Sequence, residues 1–344
     1  MYLKKPRDLI GLSAIGSAPL AGGLGSFSVR LSGVILSFIV TVVLARLLGA
    51  ESYGTYAFVY AFLSLLAIPS EMGLPSLIVR ETAKAHASRS WGLMRGLWRW
   101  SNLSVFFLSA ALLVFVFAVI NFWNTDFDAT TVDTIYVGLV FVPLVALGNI
   151  RGASLRGLRC VVQGQLPETV IRPALFILML LSFNLLAERD LSATSSMALF
   201  TIASMLAFVF GAWMLRRALP APMRCRPAPE YDAPYWLRAI LPFALIAGMN
   251  TINSNADVLL LGLLRSDGEA GIYRVASSSA ALMNFGMSAI AVAFSPYFAR
   301  YYQAEDRKAL QRLVMVSARF GALVALPVFL IFVFLGEWLL TTFF

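Results

Sequence analysis

Long apolar runs separated by short polar segments dominate this sequence. An α-helix rises about 1.5 Å per residue, so roughly 20 apolar residues cross the ~30 Å hydrocarbon layer of a membrane. The runs number about nine, and most have this length. They are Phe27–Leu48, Tyr53–Met72, Leu103–Trp123, Val132–Ile150, Ile171–Leu186, Thr194–Leu215, Ile240–Leu264, Ile272–Phe294 and Leu313–Leu335. The pattern predicts an all-α polytopic membrane protein with about nine transmembrane helices.

Composition supports this class of protein. Hydrophobic residues make up 59% of the chain and charged residues 13%, whereas soluble domains have roughly 45–50% and 25%. All 7 Trp residues lie at or near the ends of the predicted spans, where an aromatic belt is expected at the membrane surface. We therefore expect no sizeable soluble domain.

Basic residues are concentrated in every second gap between the apolar runs. Most of the 27 Lys and Arg residues follow this alternation, and the exceptions are Arg46, Arg189, Arg265 and Arg274. By the positive-inside rule the basic side is cytoplasmic, and this side includes the N-terminus. Topology thus accounts for the net charge of +9. Because the charges form no single stripe, the sequence predicts no nucleic-acid partner.

Few residues are suited to metal binding or covalent catalysis. The chain has a single histidine, His86, and two cysteines, Cys160 and Cys225, all in predicted cytoplasmic loops. A zinc site or a multi-histidine centre needs more ligands, and a disulfide is not expected in a reducing compartment. The sequence also has no GxxxxGK[ST] nucleotide-binding loop. We therefore predict no metal, no cofactor and no catalytic residues.

A constant shift along the chain brings two segments into register. Leu44–Tyr56 and Leu261–Tyr273 each carry a leucine-rich stretch followed by Gly-x-Tyr, and each joins two predicted spans by a short periplasmic turn. Repeats with an even number of spans run in parallel about an axis normal to the membrane. We predict an N-terminal tail and a lobe of about six helices at 1–215, a cytoplasmic linker at 216–235, and about three helices of a second lobe at 236–344. The second lobe is thus expected to be truncated.

Three stretches of the chain carry a resemblance to a known family. They are Leu44–Tyr56, Glu71–Glu81, and Asp257–Gly262 leading into Gly271–Tyr273. In these stretches the chain resembles the polysaccharide-biosynthesis flippases, the Wzx-like translocases of the multidrug/oligosaccharidyl-lipid/polysaccharide exporter superfamily. The resemblance implies a two-lobed bundle around a cavity that opens alternately to the two sides of the bacterial inner membrane.

The same resemblance implies a function and partners. It implies outward movement of an undecaprenyl-pyrophosphate-linked oligosaccharide for O-antigen or exopolysaccharide synthesis, by a transporter and not by an enzyme. The implied partners are this lipid-linked oligosaccharide, membrane lipids, and the polysaccharide polymerase and chain-length machinery.

Polar side chains recur on one face of four predicted spans. The stripes are Arg30, Gly33, Ser37 and Thr41; Tyr53, Tyr56, Tyr60, Ser64 and Glu71; Asn250, Asn253, Ser254 and Asp257; and Ser277, Asn284 and Ser288. A charged or amide side chain in hydrocarbon costs roughly 2.5–3.5 kcal/mol on insertion scales. We therefore expect the charged positions to line a water-filled cavity. For the Ser, Gly and Thr positions, packing between helices is the favoured interpretation, and cavity lining is the alternative.

The implied substrate is an anion linked to sugars, which requires cationic, amide and aromatic groups. The candidate substrate-binding residues are Arg30, Tyr56, Tyr60, Asn250, Asn253, Asp257, Arg274, Asn284 and Arg319. Asp257 is also the candidate carboxylate for ion coupling, and we expect it to pair with Arg274. Arg30 and the tyrosines could instead be residues of the membrane interface.

Two other functions remain open. A cation-coupled drug antiporter of the same superfamily would place an acidic residue deep in the first span, and none is there. A membrane glycosyltransferase or glycan polymerase could use Asp126 and Asp128 as a metal-binding pair. Hard cations prefer six or more oxygen ligands, which this loop does not offer.

Overall fold

A computed structural model of the chain describes residues 17–122, 128–186, 191–225, 227–265, 268–278, 280 and 306–343. Every regular element in this part of the chain is a helix, which confirms the all-α prediction. The helices are α1 Ser17–Glu71, α2 Leu74–Ala87, α3 Trp91–Phe122, α4 Ala129–Leu139, α5 Phe141–Gly157, α6 Val161–Leu166, α7 Arg172–Leu186, α8 Ala193–Ala218, α9 Ala221–Arg224, α10 Ala233–Leu264, α11 at 268–278 and α12 Arg307–Phe343. A π-helical turn at Pro167–Ile171 joins α6 to α7.

Within the described ranges, 6 helical stretches are long and apolar enough to cross a membrane. They are Gly25–Glu71, Trp91–Phe122, Ala129–Gly157, Val161–Leu186, Ala193–Ala218 and Ala233–Leu264. Every predicted span up to Leu264 overlaps one of these stretches, and the first stretch contains two predicted spans. The predicted span Leu313–Leu335 lies inside α12, whereas most of Ile272–Phe294 lies outside the described residues. The protein is a multi-pass membrane protein.

A single glycine separates the first two predicted spans. Gly49 has φ 73° and ψ 174° in the middle of α1, where the rest of the backbone is helical. Thr41 and Tyr53 would lie ~18 Å apart along a straight helix, yet both side chains line the same cavity. The two halves of α1 therefore fold toward each other at Gly49. The turn is shorter than the sequence suggested, because one residue with positive φ makes the bend.

Several helices begin earlier than hydropathy predicted, as α1 does at Ser17 and α3 at Trp91. The predicted fifth span starts at Ile171, but its helix starts at Val161 and passes through the π turn. The predicted seventh span starts at Ile240, but α10 starts at Ala233. Hydropathy omitted these first turns because they contain polar residues. In the helix that starts at Val161, such residues are hydrogen-bonded inside the protein. Gln165 accepts a hydrogen bond from the hydroxyl of Ser26 at 3.1 Å.

The main apolar core lies among α1, α4, α5, α7 and α8. Its largest fully buried side chains include Phe141, Phe176, Leu44, Leu63 and Ile135. Because lipid is as apolar as these side chains, they stabilise the bundle mainly through van der Waals contacts between the packed helices. This core forms one wall of the cavity described below.

The predicted linker packs on α3. Glu230 donates its backbone N–H to the carbonyl of Gly92 at 3.0 Å, and Arg95 donates to the carbonyl of Pro227. The segment also contains the short helix α9. The division into two lobes stays a prediction.

Candidate functional site

A cavity of about 920 Å³ lies between α1, α7 and α8 on one side and α10 and α11 on the other. Its polar lining consists of Arg30, Ser37, Thr41, Tyr53, Tyr56, Tyr60, Glu168, Thr169, Arg172, Asn253, Ser254, Asp257, Arg274, Ser277 and Ser278. Apolar groups such as Phe38, Phe176 and Phe200 complete the wall. The cavity thus combines cationic, amide, hydroxyl and aromatic groups.

All four predicted polar stripes reach this cavity through most or all of their described members. Arg30, Gly33, Ser37 and Thr41 line it together, as do Asn253, Ser254 and Asp257. Tyr53, Tyr56 and Tyr60 line it as well, whereas Glu71 lies farther along α1 and accepts a hydrogen bond from Asn149 at 2.7 Å. On the fourth stripe, Ser277 lines the cavity.

The tyrosines form a stacked row along α1. The ring centroids of Tyr53 and Tyr56 lie 6.4 Å apart, as do those of Tyr56 and Tyr60, with interplanar angles of 19° and 16°. Phe200 packs edge-on against Tyr60 at 5.5 Å. Burial among these rings fixes the row, because a buried aromatic side chain has few alternative positions in a close-packed core.

Arg274 on α11 reaches across to this row. Its guanidinium lies 5.5 Å from the centroid of the Tyr60 ring, within the range of a cation–π interaction. Arg274 therefore links α11 to α1 at the cavity wall.

Asp257 does not form the expected ion pair with Arg274. Its Oδ2 accepts a hydrogen bond from the hydroxyl of Tyr273 at 2.7 Å, while the Arg274 guanidinium lies over the ring of Tyr60 on α1. Adjacent residues of a helix point about 100° apart, so Tyr273 and Arg274 face different partners. Asp257 itself is exposed and lines the cavity.

Two predicted site residues do not line this cavity, and the position of a third is not described. Asn250 is exposed on α10, one turn before Asn253 and outside the cavity lining. Arg319 is exposed on α12 and is likewise outside the lining. Asn284 lies outside the described residues. Arg319 was predicted as a site residue because it lies well inside a predicted span. The depth of a residue in a span does not determine the direction in which its side chain points.

The cavity wall also holds a charged group that the sequence did not predict. Glu168 in the π turn accepts from Arg172 at 3.1 Å and from Arg151 at 2.8 Å, and both Glu168 and Arg172 line the cavity. The spacing Glu168 to Arg172 is i, i+4, the spacing of a helical ion pair. This signal was present, but the fifth span was predicted to start after Glu168.

Arg151 is the most enclosed member of this charged group. It is buried, donates to the carbonyl of Phe208, and lies 5.0 Å over the Phe208 ring. A Cβ atom at Gly211 would fall 2.3 Å from Arg151 Cζ. The absence of a side chain at residue 211 therefore makes room for the guanidinium.

The acidic loop before α4 has a local structural role. Asp128 accepts a hydrogen bond from the backbone N–H of Thr130 at 3.3 Å and caps α4, as aspartate commonly does at helix starts. Asp126 lies outside the described residues.

Two solved transporter structures share this fold. The MATE multidrug transporter DinF-BH, solved as a complex, is 14% identical, with a TM-score of 0.63, 99% of this chain covered and 78% of that chain. An inward-facing multidrug resistance MATE family transporter of the MOP superfamily is 14% identical, with a TM-score of 0.67 and coverage of 90% and 74%. At this identity the likeness shows the fold alone.

Sequence comparison gives the family. No curated protein matches the chain. The sequence model described as "Polysaccharide biosynthesis protein" matches residues 20–302. Together with the transporter fold, this match confirms the resemblance found in the sequence motifs. The chain belongs to the polysaccharide biosynthesis protein family.

Proposed function

We propose that this protein is a flippase that moves an undecaprenyl-pyrophosphate-linked oligosaccharide outward across the bacterial inner membrane. The observation that carries the proposal is the cavity, in which arginines and a row of stacked tyrosines share one wall. Arginine binds phosphate oxygens through paired N–H donors, and the half-buried Tyr60 at the end of the row can offer aromatic surface to a sugar. Membership in the polysaccharide biosynthesis protein family supports the choice of substrate.

The proposed mechanism is alternating access. The cavity lies between α1, α7 and α8 and the pair α10 and α11, so relative movement of these two groups of helices would open it to one side and then the other. The head group would cross through the cavity while the lipid tail stays in the bilayer. The N-terminus is cytoplasmic in this proposal, as the distribution of basic residues predicts.

Arg274 provides the first test of this function. We expect Arg274→Ala to abolish complementation of a strain that lacks its own flippase and surface polysaccharide, while Arg274→Lys retains part of it. Arg216→Ala is the matched control, because Arg216 is exposed at the end of α8. Full surface polysaccharide with Arg274→Ala, at equal amounts of protein in the membrane, would overturn the role of Arg274.

Asp257 is the proposed carboxylate for coupling transport to an ion. Its side chain lines the cavity and accepts a hydrogen bond from the hydroxyl of Tyr273. A proton or cation that enters the cavity can therefore reach this carboxylate. We expect Asp257→Asn to stop export against a gradient while retaining exchange at equilibrium in proteoliposomes. Unchanged export by this variant would remove Asp257 from the mechanism.

A multidrug antiporter is the second candidate function, because both structural neighbours described above are multidrug transporters. This function predicts resistance to cationic dyes in expressing cells, whereas the flippase predicts restored surface polysaccharide. The cavity wall favours the flippase, since Arg30, Arg172 and Arg274 would repel a cationic drug. Dye resistance without restored polysaccharide would reverse this choice.

A further inference from the structure

Two arginines share one carboxylate in the cavity wall. Oε1 of Glu168 accepts from Nη2 of Arg151 at 2.8 Å, and Oε2 accepts from Nη1 of Arg172 at 3.1 Å. Formal charges of two cations and one anion leave the group with one excess positive charge. An excess charge in a membrane protein is costly unless an anion or water compensates it.

Arg151 is held in place by its surroundings. Its side chain is 6% exposed, it does not line the cavity, and it has a second bond to the carbonyl of Phe208. At Gly211 a Cβ would lie only 2.3 Å from its Cζ, so the guanidinium fills this space. Arg151 therefore stays with Glu168 and neutralises it.

Arg172 is held differently. Its side chain is 17% exposed and lines the cavity, as does that of Glu168. Its guanidinium lies 5.5 Å from the centroid of the Phe200 ring and 5.8 Å from that of Phe141. A guanidinium has five N–H donors, and the bond to Glu168 uses Nη1. Arg172 is thus the member of the group that a ligand in the cavity can reach.

We propose that Arg172 is an anion ligand of the cavity and that Glu168 is its resting partner. When a phosphate or pyrophosphate group enters, it replaces Oε2 of Glu168 on Arg172. Glu168 keeps its bond to Arg151, so the exchange leaves no buried carboxylate without a counter-charge. In the empty cavity, Glu168 thereby keeps Arg172 paired with a counter-charge. The proposal rests on the flippase function, because it takes lipid pyrophosphate as the source of the anion.

The π turn gives this exchange local freedom. Glu168 lies inside the turn Pro167–Ile171, and Arg172 is the first residue after it. π-helical turns are frequent at functional sites, because they interrupt the regular hydrogen-bond ladder. The carboxylate and the guanidinium are therefore joined by the least regular part of this span.

Binding to the purified full chain in detergent tests the proposal. The ligands are undecaprenyl pyrophosphate, undecaprenol without phosphate, and inorganic pyrophosphate. We expect Glu168→Gln to tighten undecaprenyl pyrophosphate binding about tenfold, the change expected for one charge-assisted hydrogen bond. Arg172→Ala should weaken binding, and Glu168→Gln should give no gain in the Arg172→Ala background. Undecaprenol binding should be the same in all variants.

Controls separate the possible outcomes. Glu51→Gln is the matched control, since Glu51 is exposed on α1 and does not line the cavity. Arg172→Lys keeps the charge and should retain part of the affinity if Arg172→Ala fails to fold. Equal gains for inorganic pyrophosphate would support an anion site that needs no lipid. Unchanged affinity in Glu168→Gln, or wild-type affinity in Arg172→Ala, would overturn the exchange.

Failure of the flippase function has a different signature. In that case the binding pattern holds, but the wild-type chain restores no surface polysaccharide. If the chain restores polysaccharide and binding ignores both Glu168 and Arg172, the function stands and the exchange is refuted.

Discussion

Gly211 offers a sharp test of how the buried Arg151 charge is held. An alanine Cβ at residue 211 would lie 2.3 Å from Arg151 Cζ and 2.5 Å from Nε, far inside van der Waals contact. We expect Gly211→Ala to lower the free energy of unfolding by ~1–3 kcal/mol if α8 moves aside, as in overpacked cores. If the guanidinium is instead expelled from Glu168, the loss should approach ~3–5 kcal/mol, the cost of breaking a buried ion pair.

The assay is an SDS unfolding titration of the purified protein in detergent, with the thermal unfolding midpoint as a second measure. Gly268→Ala is the matched control, because a Cβ there meets nothing within 4 Å. In an Arg151→Leu background, Gly211→Ala should cost at least ~1 kcal/mol less, since contacting residues are energetically coupled. If Gly211→Ala is as stable as the control, or costs the same in both backgrounds, the close approach of Arg151 to α8 is refuted.

Further predictions concern the turn, the α1–α11 contact and the topology. Gly49→Ala should lower the free energy of unfolding by ~1–3 kcal/mol in the same titration, because its φ of 73° and ψ of 174° favour glycine. Steric contact is not the reason, since a Cβ there meets nothing within 4 Å. A loss no greater than in Gly268→Ala would contradict the prediction. Gly271→Ala should cost ~1–3 kcal/mol, because its Cβ would lie 2.5 Å from the Ala50 carbonyl oxygen; unchanged stability would contradict the contact. An impermeant maleimide should label exposed Cys225 in inside-out vesicles, faster than half-buried Cys160; labelling in intact spheroplasts would reverse the topology.

The sequence was most informative where one physical rule decides the outcome. Run length against membrane thickness located the helices, and helical spacing placed Arg30, Thr41, Asn253 and Asp257 on faces that meet at the cavity. These rules are local, so a single chain is enough to apply them. The same spacing could not show where the cavity ends, and Asn250 therefore lies beyond it.

The charged group around Glu168 could not be predicted in the same way. Its pairing with Arg151 depends on where α5 and the π turn pack, which no local rule gives. Hydropathy left Glu168 outside the fifth span and put Arg172 at its first turn, because it scores each side chain as if it faced lipid. The segment also has a proline on each side, Pro167 and Pro173, and such prolines are typical of a helix break. The π turn accommodates Pro167 at its start.

The position of the cavity between two groups of helices has a consequence for inhibition. Arg274 and Ser278 meet Tyr60 and Thr41 across it, the hydroxyls of Ser278 and Thr41 at 3.4 Å. A molecule that contacts both walls favours the closed arrangement, and by thermodynamic reciprocity that arrangement holds the molecule more tightly. Rapid turnover therefore requires modest affinity for the cargo. A compound that bound Tyr60 and Asp257 at the same time would hold the protein in the closed arrangement. The tightest ligands of this cavity should therefore be inhibitors rather than substrates.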